Sequence, residues 1–193
     1  MTVLTDRFDD ALAYTARIHR EQRRKGTTIP YVSHLLAVAS LTLEHGVTQD
    51  QAIAALLHDA AEDQGGQERL DDISARYGAG VAKIVADCTD SWVEPKPKWQ
   101  ERKEAYLNSL AGKSQTSLLV SAADKTHNAS AIVADLRVHG PALWDRFTGG
   151  RAGSLWYYRA LADKLATAMP CALVDELDRK VSEMEVLGAV EHD

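Results

Sequence analysis

The residues that could do chemistry fall in three short stretches. The densest is Leu56-Leu57-His58-Asp59-Ala60-Ala61-Glu62-Asp63, where an imidazole and a carboxylate stand side by side in an apolar helical run. A carboxylate buried there is costly unless it is paired or bound to a metal. At helical spacing Glu62 lies one turn beyond His58, and Asp63 one turn beyond Asp59. Four ionisable groups therefore gather near one helix end. Upstream, Pro30-Tyr31-Val32-Ser33-His34 sets a histidine at a helix start, just after the basic run Arg23-Arg24-Lys25. Downstream, Asp124 follows Leu118, Leu119, Val120 and Ala122, and Asn128 comes one turn later on the same face.

Together His34, His58, Asp59 and Asp124 supply two imidazoles and two carboxylates. This hard, mixed nitrogen and oxygen set suits Mn²⁺ or a similar divalent ion, one per chain. A structural zinc site would more often use thiolates and closed tetrahedral geometry. Four protein ligands on an octahedral ion leave positions for water and substrate. Such an ion acidifies bound water and polarises a phosphoryl oxygen.

Positioning these groups falls to helices. Apolar residues recur at helical spacing almost throughout, and strand signals are nearly absent. Phe8, Leu12, Tyr14 and Ile18 mark a first helix. A second covers 31–45, with Gly46 as its C-terminal cap. Thr48 and Gln51 form a capping box that opens a third helix through Ile53, Leu56 and Leu57, running on into the polar cluster at 62–66. Further helices are expected over 70–77, stopped by Gly78, and from 81 to 88. Others are expected over 99–110, 116–137, 155–168 and 172–187. Residues 91–97, with Pro95 and Pro97, read as a mobile loop lying over the molecule. Gly149, Gly150 and Gly153 read as a second flexible segment. The expected fold is all-α, a bundle of about eight to ten helices. The whole of 1–193 reads as a single domain, with a core over about 5–165 and helices of 155–188 packed on it.

Composition excludes several classes. The 193 residues carry 22 basic and 28 acidic side chains, a net charge of −6, which argues against nucleic-acid binding driven by global charge. Only Cys88 and Cys171 are present, too few for a disulfide framework, so a reducing cytoplasm is the expected setting. No apolar run is long enough for a membrane helix, and residues 1–10 lack a signal-peptide core. The sequence is silent on oligomeric state; Trp92, Trp99, Trp144 and Trp156 suit a core or an interface equally.

The ordered set Arg24-Lys25, Pro30-Tyr31-x-x-His34, His58-Asp59-x-x-Glu62-Asp63 and Asp124-Lys125-x-x-Asn128 resembles the HD-domain metal-dependent phosphohydrolases. More narrowly, it resembles the hydrolase domain of RelA/SpoT proteins and the small stand-alone alarmone hydrolases of the metazoan SpoT homologue type. The resemblance spans roughly 5–165 by motif order. It implies an all-α HD fold and Mn²⁺ held by His34, His58, Asp59 and Asp124. It further implies removal of the 3′ pyrophosphate from guanosine tetra- or pentaphosphate, as in a stringent response. By motif, Glu62 and Asp63 handle the nucleophilic water and proton transfer. Arg24 and Lys25 contact the nucleotide, and Asn128 holds it near the ribose. Arg151 and the Trp156-Tyr157-Tyr158 run match the segment that closes the pocket. Ala131 departs from the threonine many members carry there.

Phosphoester hydrolysis needs charge neutralisation and an aligned water more than covalent chemistry. Glu62 is expected to stay off the metal and accept the proton of the water. Arg24 is the expected purine-stacking residue, since a guanidinium plane stacks and an ammonium does not. Tyr157 or Tyr158 offers a second stacking face or ordinary packing. Lys96, Lys98, Arg102 and Lys103 read as solvated cations rather than substrate contacts. The metal set addresses phosphate and not base. An adenosine alarmone, the 2′-phosphate of NADPH, or binding of an alarmone without catalysis are therefore the alternatives.

Overall fold

The computed structural model describes residues 2–91 and 95–189. It is all-α, as expected, and among the described residues the only β pairing is an isolated bridge between Arg23 and Pro30. The helices are α1 (Asp6–Ile18), α2 (Val32–Glu44), α3 (Gln49–Leu57), α4 (Ala60–Asp63), α5 (Gly66–Tyr77), α6 (Ala79–Cys88), α7 (Trp99–Ser109), α8 (Gln115–His139), α9 (Gly150–Ala168) and α10 (Ala172–Ala189). Short 3₁₀ turns follow α7 and α8, at Leu110–Gly112 and Gly140–Arg146. None of the described helices is long and apolar enough to cross a membrane.

The chain groups into two compact units, residues 1–97 with 114–123, and residues 98–113 with 124–193. In the first, α3 is the central element and packs against α1, α2 and α6. Its residues Ile53, Leu56 and Leu57 have no exposed surface, because every face of this helix meets another helix. The capping box that opens it is fully formed: the Thr48 hydroxyl accepts from the Gln51 N–H, and the Gln51 side chain accepts from the Thr48 N–H. Gly46, at φ 71°, closes α2 in the left-handed conformation that a side chain would resist. In the second unit α9 packs along α10, with Leu161, Leu165, Leu173 and Leu177 buried.

Three expectations are corrected. The third helix does not continue into the polar cluster. It ends at Leu57, and a turn through His58 and Asp59 separates it from α4. Asp59, at φ −97° and ψ −1°, stands at the edge of the right-handed helical region as the N-cap of α4. Helix α5 starts at Gly66 rather than at Leu70. Gly149, Gly150 and Gly153 do not form a flexible segment, since they begin α9. At two of them smallness has a packing cause: a Cβ on Gly149 would come within 2.7 Å of the Trp99 indole, and one on Gly153 within 3.1 Å, whereas Gly150 is set by its positive φ of 57°. Of the loop at 91–97, residues 92–94, Trp92 included, lie outside the described residues.

Candidate metal centre

His34 sits in the first turn of α2 and His58 in the turn that ends α3, and both rings are buried. The rings meet edge to face with centroids 5.1 Å apart. Asp59, half-buried, reaches between them: its Oδ2 is 2.9 Å from His58 Nε2 and 3.5 Å from His34 Nε2. One donor atom from each of the three residues lies within 4.8 Å of the others, close enough to share a cation. The backbone fixes one tautomer. His58 Nδ1–H donates to the Ala55 carbonyl at 2.9 Å, so its Nε2 carries the lone pair that faces Asp59. Two buried imidazoles and a carboxylate converging in this way fit a divalent ion.

Around this cluster stand two more carboxylates. Glu62 Oε2 accepts from the Asp90 N–H at 3.3 Å, and its Oε1 is 3.5 Å from Lys96 Nζ. Burial first, then the negative charges of Asp90 and Asp59, pushes the Glu62 carboxyl up to about 7, with Lys96 opposing. Asp63 Oδ2 accepts from Gln22 Nε2 at 2.8 Å. Burial, and then Asp59, raises the Asp63 carboxyl above its ordinary range, against that hydrogen bond. A third hydrogen bond comes from Tyr31, whose hydroxyl donates to Asp59 Oδ2 at 2.6 Å.

The other expected site residues have their own surroundings. Asp124 is buried in α8, where Lys125 Nζ and Asn128 Nδ2 each approach one of its oxygens at 2.5 Å. Burial would lower the Lys125 ammonium, but the Asp124 carboxylate heads the opposing influences and leaves it well above its usual value. Arg24 and Lys25 stand in the loop closed by the Arg23–Pro30 bridge, Arg24 half-buried and Lys25 exposed. Arg151 is exposed in the first turn of α9. Tyr157 is buried, with Trp99 at its edge (centroids 6.4 Å apart) and Lys103 Nζ 4.9 Å from its ring centre.

Several residues at the cluster escaped the sequence reading. The motif around Tyr31 gives it no role, yet its hydroxyl reaches Asp59, and Lys96, expected as a solvated cation, pairs with Glu62. Gln22 and the Asp90 amide carry no local signal, because their partners lie 41 and 28 residues away.

Residues 11–155 match the family model described as HD domain. The chain belongs to the HD domain family. Among curated members, the guanosine-3′,5′-bis(diphosphate) 3′-pyrophosphohydrolase MESH1 of Homo sapiens is 40% identical over 124 residues, 62% of this chain and 65% of that protein. The Drosophila melanogaster protein of the same name is 35% identical over 141 residues, 72% of this chain and 74% of that one. Among solved HD domain structures, one described as a metazoan ortholog of SpoT that hydrolyzes ppGpp superposes with a TM-score of 0.77 at 30% identity. It covers 95% of this chain and 98% of that one. An HD domain implies a divalent metal, and the His34, His58 and Asp59 donors are where this chain can hold it.

Proposed function

We propose that this chain is a Mn²⁺-dependent hydrolase that removes the 3′ pyrophosphate from guanosine tetra- or pentaphosphate, leaving GDP or GTP. The observation that carries the proposal is the His34, His58 and Asp59 donor set with Glu62 beside it, a carboxyl lifted to about 7. The relatives' activity supplies the substrate class. The two cysteines, both free thiols, suit a reducing cytoplasm.

His34, His58, Asp59 and, on the Asp-Lys-x-x-Asn motif, Asp124 would hold a divalent ion, which would supply positive charge to the phosphoryl group and to the attacking water. Everything else is the work of side chains. Glu62 is the proton acceptor: it stands beside the donor set and off it, and burial with the charges of Asp90 and Asp59 raises its affinity for a proton. Lys96 on Oε1 and the Asp90 N–H on Oε2 orient it. Asp63, oriented by Gln22, serves the proton network or the leaving oxygen. Arg24 and Lys25 supply counter-charge, with the Arg24 guanidinium stacking on the purine. Asn128 is assigned to the ribose, and Arg151 with Tyr157 to the segment that closes over the nucleotide.

The test is a substrate panel with pyrophosphate and orthophosphate measured separately. The expected result is pyrophosphate release from the guanosine alarmone, dependent on added Mn²⁺. Orthophosphate from NADPH, or pyrophosphate only from an adenosine alarmone, would replace the substrate. Tight alarmone binding with no turnover in saturating Mn²⁺ would make the chain a binding protein instead.

A further inference from the structure

The two carboxylates Asp59 and Asp63 are each held by a neutral donor, and both donors lead back to one buried residue. His19 caps the C-terminal end of α1 and is 1% exposed. Its Nδ1 lies 2.6 Å from Gln22 Oε1. The same Gln22 oxygen accepts from Gln64 Nε2 at 2.7 Å. With two donors on its oxygen, the Gln22 amide is fixed in one orientation, and its NH₂ group must face Asp63, where it donates at 2.8 Å. A flipped amide would set its oxygen against the carboxylate and its NH₂ against both donors.

The face of the His19 ring has a separate task. Tyr31 stacks on it at 5.7 Å between centroids and 22° between planes. The Tyr31 backbone N–H donates to the Gln22 carbonyl at 2.9 Å, so the segments bearing the two residues are joined. The tyrosine hydroxyl then donates to Asp59 Oδ2 at 2.6 Å. Burial lowers the His19 imidazole below its ordinary value, in keeping with a neutral ring that donates through Nδ1 and leaves Nε2 bare.

We propose that His19 is a positioning residue for this hydrolase. Its Nδ1–H sets the Gln22 amide that holds Asp63, and its ring face sets the Tyr31 hydroxyl that holds Asp59. The inference rests on the proposed hydrolase reading for its kinetic readout but not for its metal readout. Partners in this position typically change metal affinity or activity by about 10- to 100-fold when lost.

Two variants separate the tasks. His19→Phe keeps a ring against Tyr31 and loses the donor. It should lower kcat by roughly tenfold or more, with little change in KM, while Mn²⁺ binds as in the parent protein. His19→Asn keeps a donor near the Nδ1 position and loses the stacking face. It should weaken Mn²⁺ by roughly tenfold, as should Tyr31→Phe, and kcat should recover at saturating Mn²⁺. Mn²⁺ affinity is read by calorimetric titration and folding by thermal melting. Gln22→Leu should reproduce the kinetic loss of His19→Phe, which keeps the proposal testable if either histidine variant fails to fold. Parent-like kcat in both His19→Phe and Gln22→Leu, or parent-like Mn²⁺ affinity in both His19→Asn and Tyr31→Phe, overturns the proposal. If the parent protein hydrolyses no nucleotide, the hydrolase reading fails, and the Mn²⁺ titrations alone decide for or against His19.

Discussion

Two regions of this molecule handle charge in opposite ways. Along α9 and α10, Arg159 meets Glu185 at 3.0 Å, Asp178 at 2.5 Å and Asp163 at 3.5 Å, with Ser182 as a further acceptor. These three carboxylates share the one guanidinium, water has access, and the guanidinium is held above its usual value, chiefly by its bond to Glu185. Around His58 the carboxylates Asp59, Glu62, Asp63 and Asp90 bear chiefly on one another, the imidazoles are buried, and Lys96 is the cation set against Glu62. The first arrangement is complete in itself and serves the fold. The second gathers like charges beside donors that could hold a cation, the pattern that suits a binding site.

The sharpest way to break this contrast is to remove a donor. His58→Ala or Asp59→Ala should abolish Mn²⁺ binding in calorimetry. Turnover should fall by at least about a thousandfold, because a metal supplies several kcal/mol of charge stabilisation in the transition state. Next in size is Glu62→Gln, which leaves the donor set intact. It should reduce kcat by about 10²- to 10⁴-fold in steady-state assays while Mn²⁺ still binds. Normal turnover in that variant would remove Glu62 from the role of base.

A third effect concerns stability. The Glu62 carboxyl is raised to about 7 in the fold from an ordinary 4.5. A raised carboxyl stabilises the fold while protonated, and that contribution is lost as pH rises through its folded value. After chelation, the melting temperature should fall between pH 5 and pH 8, with a loss of at most about 3 kcal/mol. Asp63 is shifted in the same direction and adds to the slope. Glu62→Gln should flatten the pH dependence, and so should added Mn²⁺, which favours the ionised form. The smallest effect belongs to the other region. Arg159→Ala should cost only about 1 kcal/mol in thermal unfolding, since half-exposed ion pairs contribute little, and it should leave turnover unchanged.

Much of the fold was legible because its signals are local. The Thr48 capping box, the Gly46 cap and the stop at Gly78 each depend on residues within one turn. The donors His34, His58 and Asp59 were legible because ionisable groups in apolar helices demand a partner. The break at His58–Asp59 was not legible, since Leu56, Leu57, Ala60 and Ala61 continue a helical apolar pattern straight across it. Nor was the helical start at Gly149 and Gly150, because glycine alone reads as flexibility. Only the Trp99 indole, fifty residues away in sequence, explains why nothing larger fits at Gly149, and only the backbone, at φ 57°, why glycine suits position 150. Gln22 and His19 stayed hidden for a similar reason: an amide or imidazole acquires a role from distant partners that no spacing rule connects.

The bridge between Arg23 and Pro30 bears on how the loop it closes can change over evolution. Its flanking bonds, Arg24 N–H to the Ile29 carbonyl and Tyr31 N–H to the Gln22 carbonyl, both 2.9 Å, cinch the loop at its base. Residues inserted beyond that base lengthen the loop without shifting the first turn of α2 that carries His34. Doubling the length of a loop costs only about 0.6 kcal/mol in closure entropy. A lineage can therefore lengthen or rebuild the segment bearing Lys25 while the position of His34 is inherited unaltered.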